Sequence, residues 1–515
     1  MLAAHQNEAA ARALELLRAH RGAVLADEPG LGKSFVAAEV MRAFDEVDLI
    51  VPAALVAQWR ETLEQFGLRA NLMTHDALLR DTFVAEPRAR LVVVDEAHAF
   101  RNPKTRRYAA LARRTAGACL LLVTATPVCN GIADLEALVG LIARDDVLAR
   151  EGVPSIDAAF ETRDRELIAQ VVATLVIRRD RSVLPDELQF GDLERRVIRH
   201  PVPGLHIDEL EFPLVEGAAI LRRFLWRRLE SSPAAFLESL LRQKRFYERA
   251  LGAVAAGRTL HKRDYREAFG VEEDFQEVLF WDLFAPPGQA DPHAIREELH
   301  RIEALTDSAR AATDVKRALL ATVLTNEPTL IFTGSAATAR DLHASLPRAG
   351  LVTSRERSRE AVLRSFQNGK LDLVVSTDMA AEGLNLQRAA VVIHYDIPWN
   401  PVKLDQRNGR AHRIGQQRER VRAVYFLPET RTTGIMQTVA RKNRERKRAL
   451  THRQPPTVNR QPTLRPRVAR DAAVLRLPNA PAILQRRHKA GIERLILEDC
   501  RLSDLLALVA IECPS

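Results

Sequence analysis

Gly22-Ala23-Val24-Leu25-Ala26 runs without a break into Asp27-Glu28-Pro29-Gly30-Leu31-Gly32-Lys33-Ser34, and that junction decides the fold. The first five residues are a continuous apolar run, which suits a strand buried on both faces of a parallel sheet. The next eight form a glycine-rich turn, and Ser34–Phe44 beyond it has helical periodicity. Strand, glycine-rich turn and helix in that order bring backbone N–H groups to a helix N-terminus, where the dipole favours a phosphate. The turn residues Gly30, Leu31 and Gly32 would cradle the phosphates, Lys33 would reach the β- and γ-phosphates of a nucleoside triphosphate, and Ser34 would give its hydroxyl to Mg²⁺. The strict phosphate-loop pattern opens with glycine, and here Asp27 stands in that position.

The same texture extends on both sides. Asp48–Val51, Leu91–Val94 and Leu120–Val123 are further apolar runs, with Ala54–Phe66 a helical pattern between them. Such alternation predicts a doubly wound α/β domain. It returns with Thr329–Thr333, Leu373–Ser376, Val391–Tyr395 and Arg422–Phe426. The stretch between the two blocks, roughly 205–320, has few strand signals, and Leu221–Glu230 and Ala235–Ala250 read as helices. Prolines at 455, 456, 462 and 466 make the region after 450 a linker, and Ala482–Ala510 reads as one or two amphipathic helices.

Two strand ends in the first block carry chemistry. Asp95-Glu96-Ala97-His98 follows Leu91–Val94 directly, where carboxylates face the ligand crevice of a parallel sheet. Asp95 would hold Mg²⁺ and Glu96 would orient or deprotonate an attacking water. Thr124 and Thr126 close the next strand, well placed to sense a γ-phosphate. In the second block, Arg410 and Arg413 sit three apart on a helical stretch that includes Gln406 and Gly409. Two guanidinium groups on one helix face, entering from another lobe, suit the developing charge of phosphoryl transfer.

Composition narrows the class. The chain has 515 residues, 46% hydrophobic and 28% charged, an ordinary globular profile that excludes collagen-like and fully disordered classes. Cys119, Cys129, Cys500 and Cys513 form no CxxC pair, so neither a zinc cluster nor a disulfide framework is indicated. The apolar runs are too short to cross a bilayer, and the N-terminus lacks the build of a secretion signal. The expectation is a cytoplasmic protein with no membrane partner. The net charge of +9 is local: residues 441–470 hold nine Arg and two Lys against Glu445, and the rest of the chain is near neutral.

Taken together, these residues resemble superfamily-two helicases and, within them, the Swi/Snf-type ATPases, over roughly residues 1–440. The form D-E-x-G-L-G-K-[ST] of that family accounts for Asp27. Val51-Pro52-Ala53-Ala54-Leu55-Val56-Ala57-Gln58-Trp59 is similar to its motif Ia and Thr74-His75-Asp76 to its motif Ib. Leu175-Val176-Ile177-Arg178-Arg179-Asp180 is similar to the arginine pair that closes its first lobe. Tyr395-Asp396-Ile397-Pro398-Trp399-Asn400-Pro401, followed by His412-Arg413-Ile414-Gly415-Gln416, is the most specific match, closest to the bacterial branch that includes the RNA-polymerase-recycling ATPase.

The resemblance implies two RecA-like, doubly wound parallel-sheet lobes: 1–200 for ATP binding and 321–440 as the second lobe. A helical insert would span 201–320, a basic linker 441–480 and a helical segment 481–515. It implies ATP and Mg²⁺ as cofactors. Gln6, Asp27 and Gln406 would join the ATP site, with catalysis by Glu96, Arg410 and Arg413. His98, Thr124, Thr126, Glu382 and Gly383 would couple the site to movement. The implied activity is translocation on double-stranded DNA, displacing RNA polymerase or another DNA-bound protein. A strand-separating helicase and a catalytically idle, partner-binding scaffold are the alternatives.

Overall fold

The computed structural model of the chain describes residues 2–80, 90–129, 131–180, 183, 192–215, 218–258, 291–354, 356, 358–378, 386–398, 401–413, 416, 418–429, 441–442, 444, 472–475, 482–488 and 491–497. The first lobe opens with helix α1 (Ala4–His20), strand β1 (Gly22–Leu25), α2 (Lys33–Met41), β2 (Glu46–Val51), α3 (Val56–Phe66), β3 (Asn71–Thr74) and β4 (Arg90–Val94). It continues with α4 (Arg106–Thr115), β5 (Cys119–Val123), α5 (Ile132–Ile142), α6 (Ile156–Glu161), α7 (Arg165–Leu175) and the short β6 (Val176–Ile177). The strands pair in the order β3-β2-β4-β5-β1-β6, all parallel.

Strand pleating explains why these runs are apolar throughout. Ala23, Leu25, Leu49, Val51, Leu91, Val93, Leu121 and Val123 pack against α1, α2 and α3 on one face. Their neighbours Val24, Ile50, Val92, Val94, Leu120 and Leu122 pack against α4 to α7 on the other. A sheet covered on both faces has no polar side to alternate with.

Strand β7 (Asp192–His200) lies in the second sheet, in a nine-residue parallel ladder beside β12 (Arg420–Pro428). The chain therefore crosses between lobes after β6, upstream of residue 200. Next come α8 (Ala218–Ser231), α9 (Pro233–Ala255) and α10 (Pro292–Ala311), which with Ile207–Leu214 enclose a core of their own around Leu225, Phe236, Leu240, Tyr247 and Ile302. Helix α11 (Val315–Val323) instead lays Leu320 and Val323 on the second sheet beside Ile198. The second lobe is built from β8 (Thr329–Thr333), α12 (Ala336–Ser345), β9 (Ala349–Val352), α13 (Arg359–Gln367), β10 (Leu373–Thr377), β11 (Val391–His394), α14 (Pro401–Ala411) and β12.

Within 481–515, expected to be helical, the described residues are strands instead: β14 (Ala482–His488) and β15 (Gly491–Leu497) form an antiparallel pair, with β13 (Ala472–Leu475) on the outside. The spacing of Ile492, Leu495 and Ile496 suits a helix, but β15 pairs parallel to β7, and an available sheet edge overrides a short local pattern. The full order is β13-β14-β15-β7-β12-β11-β8-β10-β9. Of the basic stretch 441–470, only 441, 442 and 444 fall among the described residues. No helix among the described residues is long and apolar enough to cross a membrane.

Helix α5 approaches β1 so closely that a Cβ at Gly22 would stand 2.1 Å from the Ile142 carbonyl oxygen. Gly22→Ala should therefore lower stability by about 1–3 kcal/mol through forced backbone displacement. A thermal melt checks this, and an unchanged midpoint would contradict so tight a β1–α5 contact.

Candidate active site

The order β4-β5-β1 brings three strand ends side by side, so the loops after Leu25, Val94 and Val123 converge on one crevice. Gly30 (φ 94°) and Gly32 (φ 80°) take left-handed backbone, which glycine adopts without a Cβ clash. Gly32 also caps α2. Gln6 lies directly on this turn. Its Nε2 donates to the Leu31 carbonyl at 3.2 Å, its Oε1 accepts from Ala3 N–H at 3.0 Å, and a Cβ at Gly32 would collide with it at 2.3 Å.

Lys33 Nζ donates to the carbonyls of Asp27 (2.8 Å) and Glu28 (3.2 Å), folding back into its own loop. Burial lowers its pKa, while Glu96, Asp27, Asp95 and Glu28 oppose that shift. Ser34, half buried, follows in the first turn of α2. Asp27, expected among the ATP contacts, is fully buried and gives its carboxylate to Arg179. It accepts from the Arg179 backbone N–H at 2.9 Å and from Nε at 3.2 Å, besides an ion pair with the guanidinium tip. The aspartate at the head of the loop therefore ties β1 to the segment that follows β6, and Glu28 N–H donating to the Arg179 carbonyl (3.0 Å) strengthens the tie.

At the end of β4, Asp95 Oδ2 accepts from Trp59 Nε1 at 2.8 Å and Oδ1 from Glu96 N–H at 2.9 Å. Burial and then the Glu96 charge push the Asp95 pKa up, against the Trp59 hydrogen bond. Burial alone would also raise Glu96, but the hydrogen bond and charge of His98, with Lys33 and Arg410, outweigh it and hold Glu96 below the usual carboxylate range. His98 Nδ1 stands 3.1 Å from Glu96 Oε2. Glu96 itself has φ 49°, one of four described non-glycine residues with positive φ, and backbone strain at such a turn is characteristic of functional sites. His75 Nε2 sits 2.9 Å from the Asp95 carbonyl oxygen. At the end of β5, Thr124 Oγ1 accepts from Thr126 N–H at 3.0 Å, both side chains being buried.

The second lobe reaches this crevice through α14. Arg407 and Asn408 point inward: Asn408 joins His394 (2.8 Å) and Tyr425 (2.9 Å). Gly409 meets the phosphate loop, where its Cβ position would lie 3.3 Å from Pro29 Cβ. The charge of Arg410 reaches Glu96 across the interface. Burial and then the neighbouring Arg410 press down the pKa of Arg413. Gln406 sits half buried one turn before Arg410. Glu382 and Gly383 lie outside the described residues.

The oxygens of Ser34 and Asp95 are hard donors that fit Mg²⁺, and the burial and the Glu96 charge that together raise Asp95 are what a bound cation would offset. Trp59 and Arg407 carry structural roles here that sequence reasoning did not assign. Trp59 closes the Val51–Trp59 stretch quoted above, and Arg407 lies next to Gln406 on the helical stretch that carries Arg410.

The SNF2-related domain matches residues 69–152, and the helicase conserved C-terminal domain matches residues 313–415. The chain carries an SNF2-related domain and a helicase conserved C-terminal domain, and is an ATP-dependent enzyme. It is 25% identical to the uncharacterized ATP-dependent helicase YqhH of Bacillus subtilis, covering 81% of this chain and 73% of that protein. It is 26% identical to the RNA polymerase-associated protein RapA of Yersinia enterocolitica, covering 79% of this chain but only 46% of that protein. The ATPase core of the Sulfolobus solfataricus SWI2/SNF2 protein in complex with dsDNA is 18% identical, with a TM-score of 0.33 over 83% of this chain and 88% of that one.

Removing one partner of a buried ion pair strands the other charge. Arg179→Ala in this ATPase should therefore cost about 3–5 kcal/mol of stability, and Arg179→Ala with Asp27→Asn should recover part of it. Thermal melts of the single and double variants check this. A double variant no more stable than Arg179→Ala would mean that the stranded Asp27 charge is not the cause.

Proposed function

We propose that the chain is a nucleic-acid-dependent ATPase that translocates on double-stranded DNA and displaces or remodels protein bound there. The observation that carries this reading is Gly409, on the second lobe, set against Pro29 of the phosphate loop with its Cβ position 3.3 Å from Pro29 Cβ, which places Arg410 beside the crevice where its charge bears on Glu96. A hydrolytic site split between two lobes makes turnover depend on their closure, and alternate closing and opening is what moves a motor along a backbone. The proposed division of labour follows the lobes. Gln6 and the 30–34 turn bind ATP, Lys33 neutralises the β- and γ-phosphates, and Ser34 and Asp95 hold Mg²⁺, which supplies charge neutralisation at those phosphates. Glu96 orients and deprotonates the attacking water. Arg410 and Arg413 stabilise the charge that develops as the phosphoryl group transfers. Gln406 borders the nucleotide, and His98, Thr124, Thr126, Glu382 and Gly383 transmit its state.

The SNF2-related match supports duplex DNA as the track. The net charge of +10 in residues 441–470 supports a second phosphate-contacting region outside the cleft. The likeness to RapA makes RNA polymerase, or another DNA-bound protein, the partner to test. Of the expected units 1–200, 201–320, 321–440, 441–480 and 481–515, the first gives up 192–200 to the second sheet and the last contributes β14 and β15 to it; the cytoplasm is proposed as the compartment.

The experiment is ATPase rate with duplex DNA, single-stranded DNA and RNA compared, alongside two variants. Duplex DNA should stimulate most. Glu96→Gln should bind ATP while losing about 10²–10⁴-fold in turnover. Arg410→Ala should lose about 10³-fold with nucleotide affinity little changed. Stimulation by single strands or RNA alone, with unwinding, would replace the reading by a strand-separating helicase. Wild-type turnover in Glu96→Gln would remove Glu96 from its role.

A further inference from the structure

Asp396, in the loop after β11, collects donors from three parts of the chain. Its Oδ2 accepts from Thr333 Oγ1 at 2.6 Å and from Ser231 Oγ at 2.8 Å, and its Oδ1 accepts from Gly334 N–H at 2.8 Å. Arg407, on α14, stands 3.5 Å from Oδ1, donates to the Asp396 carbonyl at 2.8 Å, and places Nε 2.5 Å from Asp378 Oδ1. All of these side chains are buried or nearly so.

Ser231 does not belong to the lobe. It is the last residue of α8, in the helical insert. A carboxylate only accepts, so the Ser231 hydroxyl proton is committed to Asp396. Thr338 Oγ1 lies 2.8 Å from both Ser231 Oγ and Ser232 Oγ. With the Ser231 proton already committed, Thr338 donates to Ser231 and its own oxygen accepts from Ser232, so the chain of hydroxyls runs Ser232 to Thr338 to Ser231 to Asp396. It begins at the N-cap of α9, where Ser232 Oγ accepts from Ala235 N–H at 3.0 Å. Two cations fix the same junction. Lys316 Nζ donates to the carbonyls of Glu230 (2.7 Å) and Ser231 (3.0 Å) and lies 4.1 Å from the Tyr395 ring centre, and Arg227 donates to the Ile397 carbonyl at 2.6 Å. The insert is thus bonded to the loop whose carboxylate holds Arg407, one turn before Arg410.

We propose that Asp396 is a positioning residue through which the helical insert, by way of Ser231, sets the pose of α14 and hence of Arg410 at Glu96. This rests on the reading of Arg410 given above. The insert then acts as part of the catalytic frame, and anything that docks on α8 or α9 bears directly on the arginine helix. Ser231 touches neither nucleotide nor reacting atoms, so its effect belongs to kcat.

The test uses the full chain, with steady-state kcat and KM for ATP and a thermal melt for Ser231→Ala, Ser231→Thr, Asp396→Asn, Arg410→Ala and the double variant Ser231→Ala with Arg410→Ala. Ser231→Ala should lower kcat about tenfold, the worth of one buried hydrogen bond to a charged group, with KM within about twofold. Ser231→Thr, which keeps the hydroxyl, should recover most of it. In the Arg410→Ala background, Ser231→Ala should change kcat less than about twofold, because its route is already cut. Asp396→Asn should act in the same direction as Ser231→Ala, and if it fails to fold, the serine variants decide. Wild-type kcat in Ser231→Ala, or the same fractional loss in both backgrounds, overturns the relay while leaving the role of Arg410 intact. Wild-type turnover in Arg410→Ala overturns the arginine reading itself, and the relay with it.

Discussion

Everything in this ATPase turns on keeping Glu96 charged where water is scarce. Its side chain is 20% exposed, and burial alone would drive it towards the neutral acid. His98 on the same turn, Lys33 on the phosphate loop and Arg410 on the other lobe together keep it ionised. Each is delivered by a different element: the turn after β4, the first residue of α2, and α14. The buried carboxylate stays ionised only while all three stay in register, so elements on both sides of the cleft bear on one side chain.

The first lobe meets that demand with a rigid crevice. Trp59 fixes the Asp95 carboxylate, His75 meets its carbonyl, and the Asp27–Arg179 pair ties the head of the phosphate loop to the segment after β6. The second lobe meets it by pinning α14 from behind through Arg407, Asn408, His394 and Tyr425. The contacts behind α14 leave Gly409 and Arg410 as the face presented to the phosphate loop.

Much of this was legible in the sequence. The apolar runs at 22–26, 91–94, 329–333 and 391–395 are strands because sheets buried on both faces leave no polar period to disguise them. The phosphate loop and Asp95-Glu96 were placed by chemistry that only certain residues can perform. Other features were not legible. The final strands β14 and β15 exist because a sheet edge beside β7 accepts them, a fact no local spacing records. The edge strand β3 is only partly buried and reads as Asn-Leu-Met-Thr rather than a continuous apolar run, and β6 has only two residues. The true partner of Asp27 is 152 residues away, and the bond between Ser231 and Asp396 spans 165. Trp59 and Arg407 lie within or beside recognisable motifs, but only the fold shows that they hold Asp95 and Asp378.

The second lobe closes onto the phosphate loop with Gly409 against Pro29. A Cβ at Gly409 would lie 3.3 Å from Pro29 Cβ, close to the roughly 3.5–4.5 Å between Cβ atoms that a disulfide requires. The most direct measurement is disulfide formation in the Pro29→Cys, Gly409→Cys double variant, made in a background where Cys119, Cys129, Cys500 and Cys513 are replaced by serine. Under mild oxidation the pair should link within one chain, and the linked protein should stop turning over ATP until it is reduced. Failure to link with and without a non-hydrolysable ATP analogue, in a protein that still hydrolyses ATP, would contradict the account.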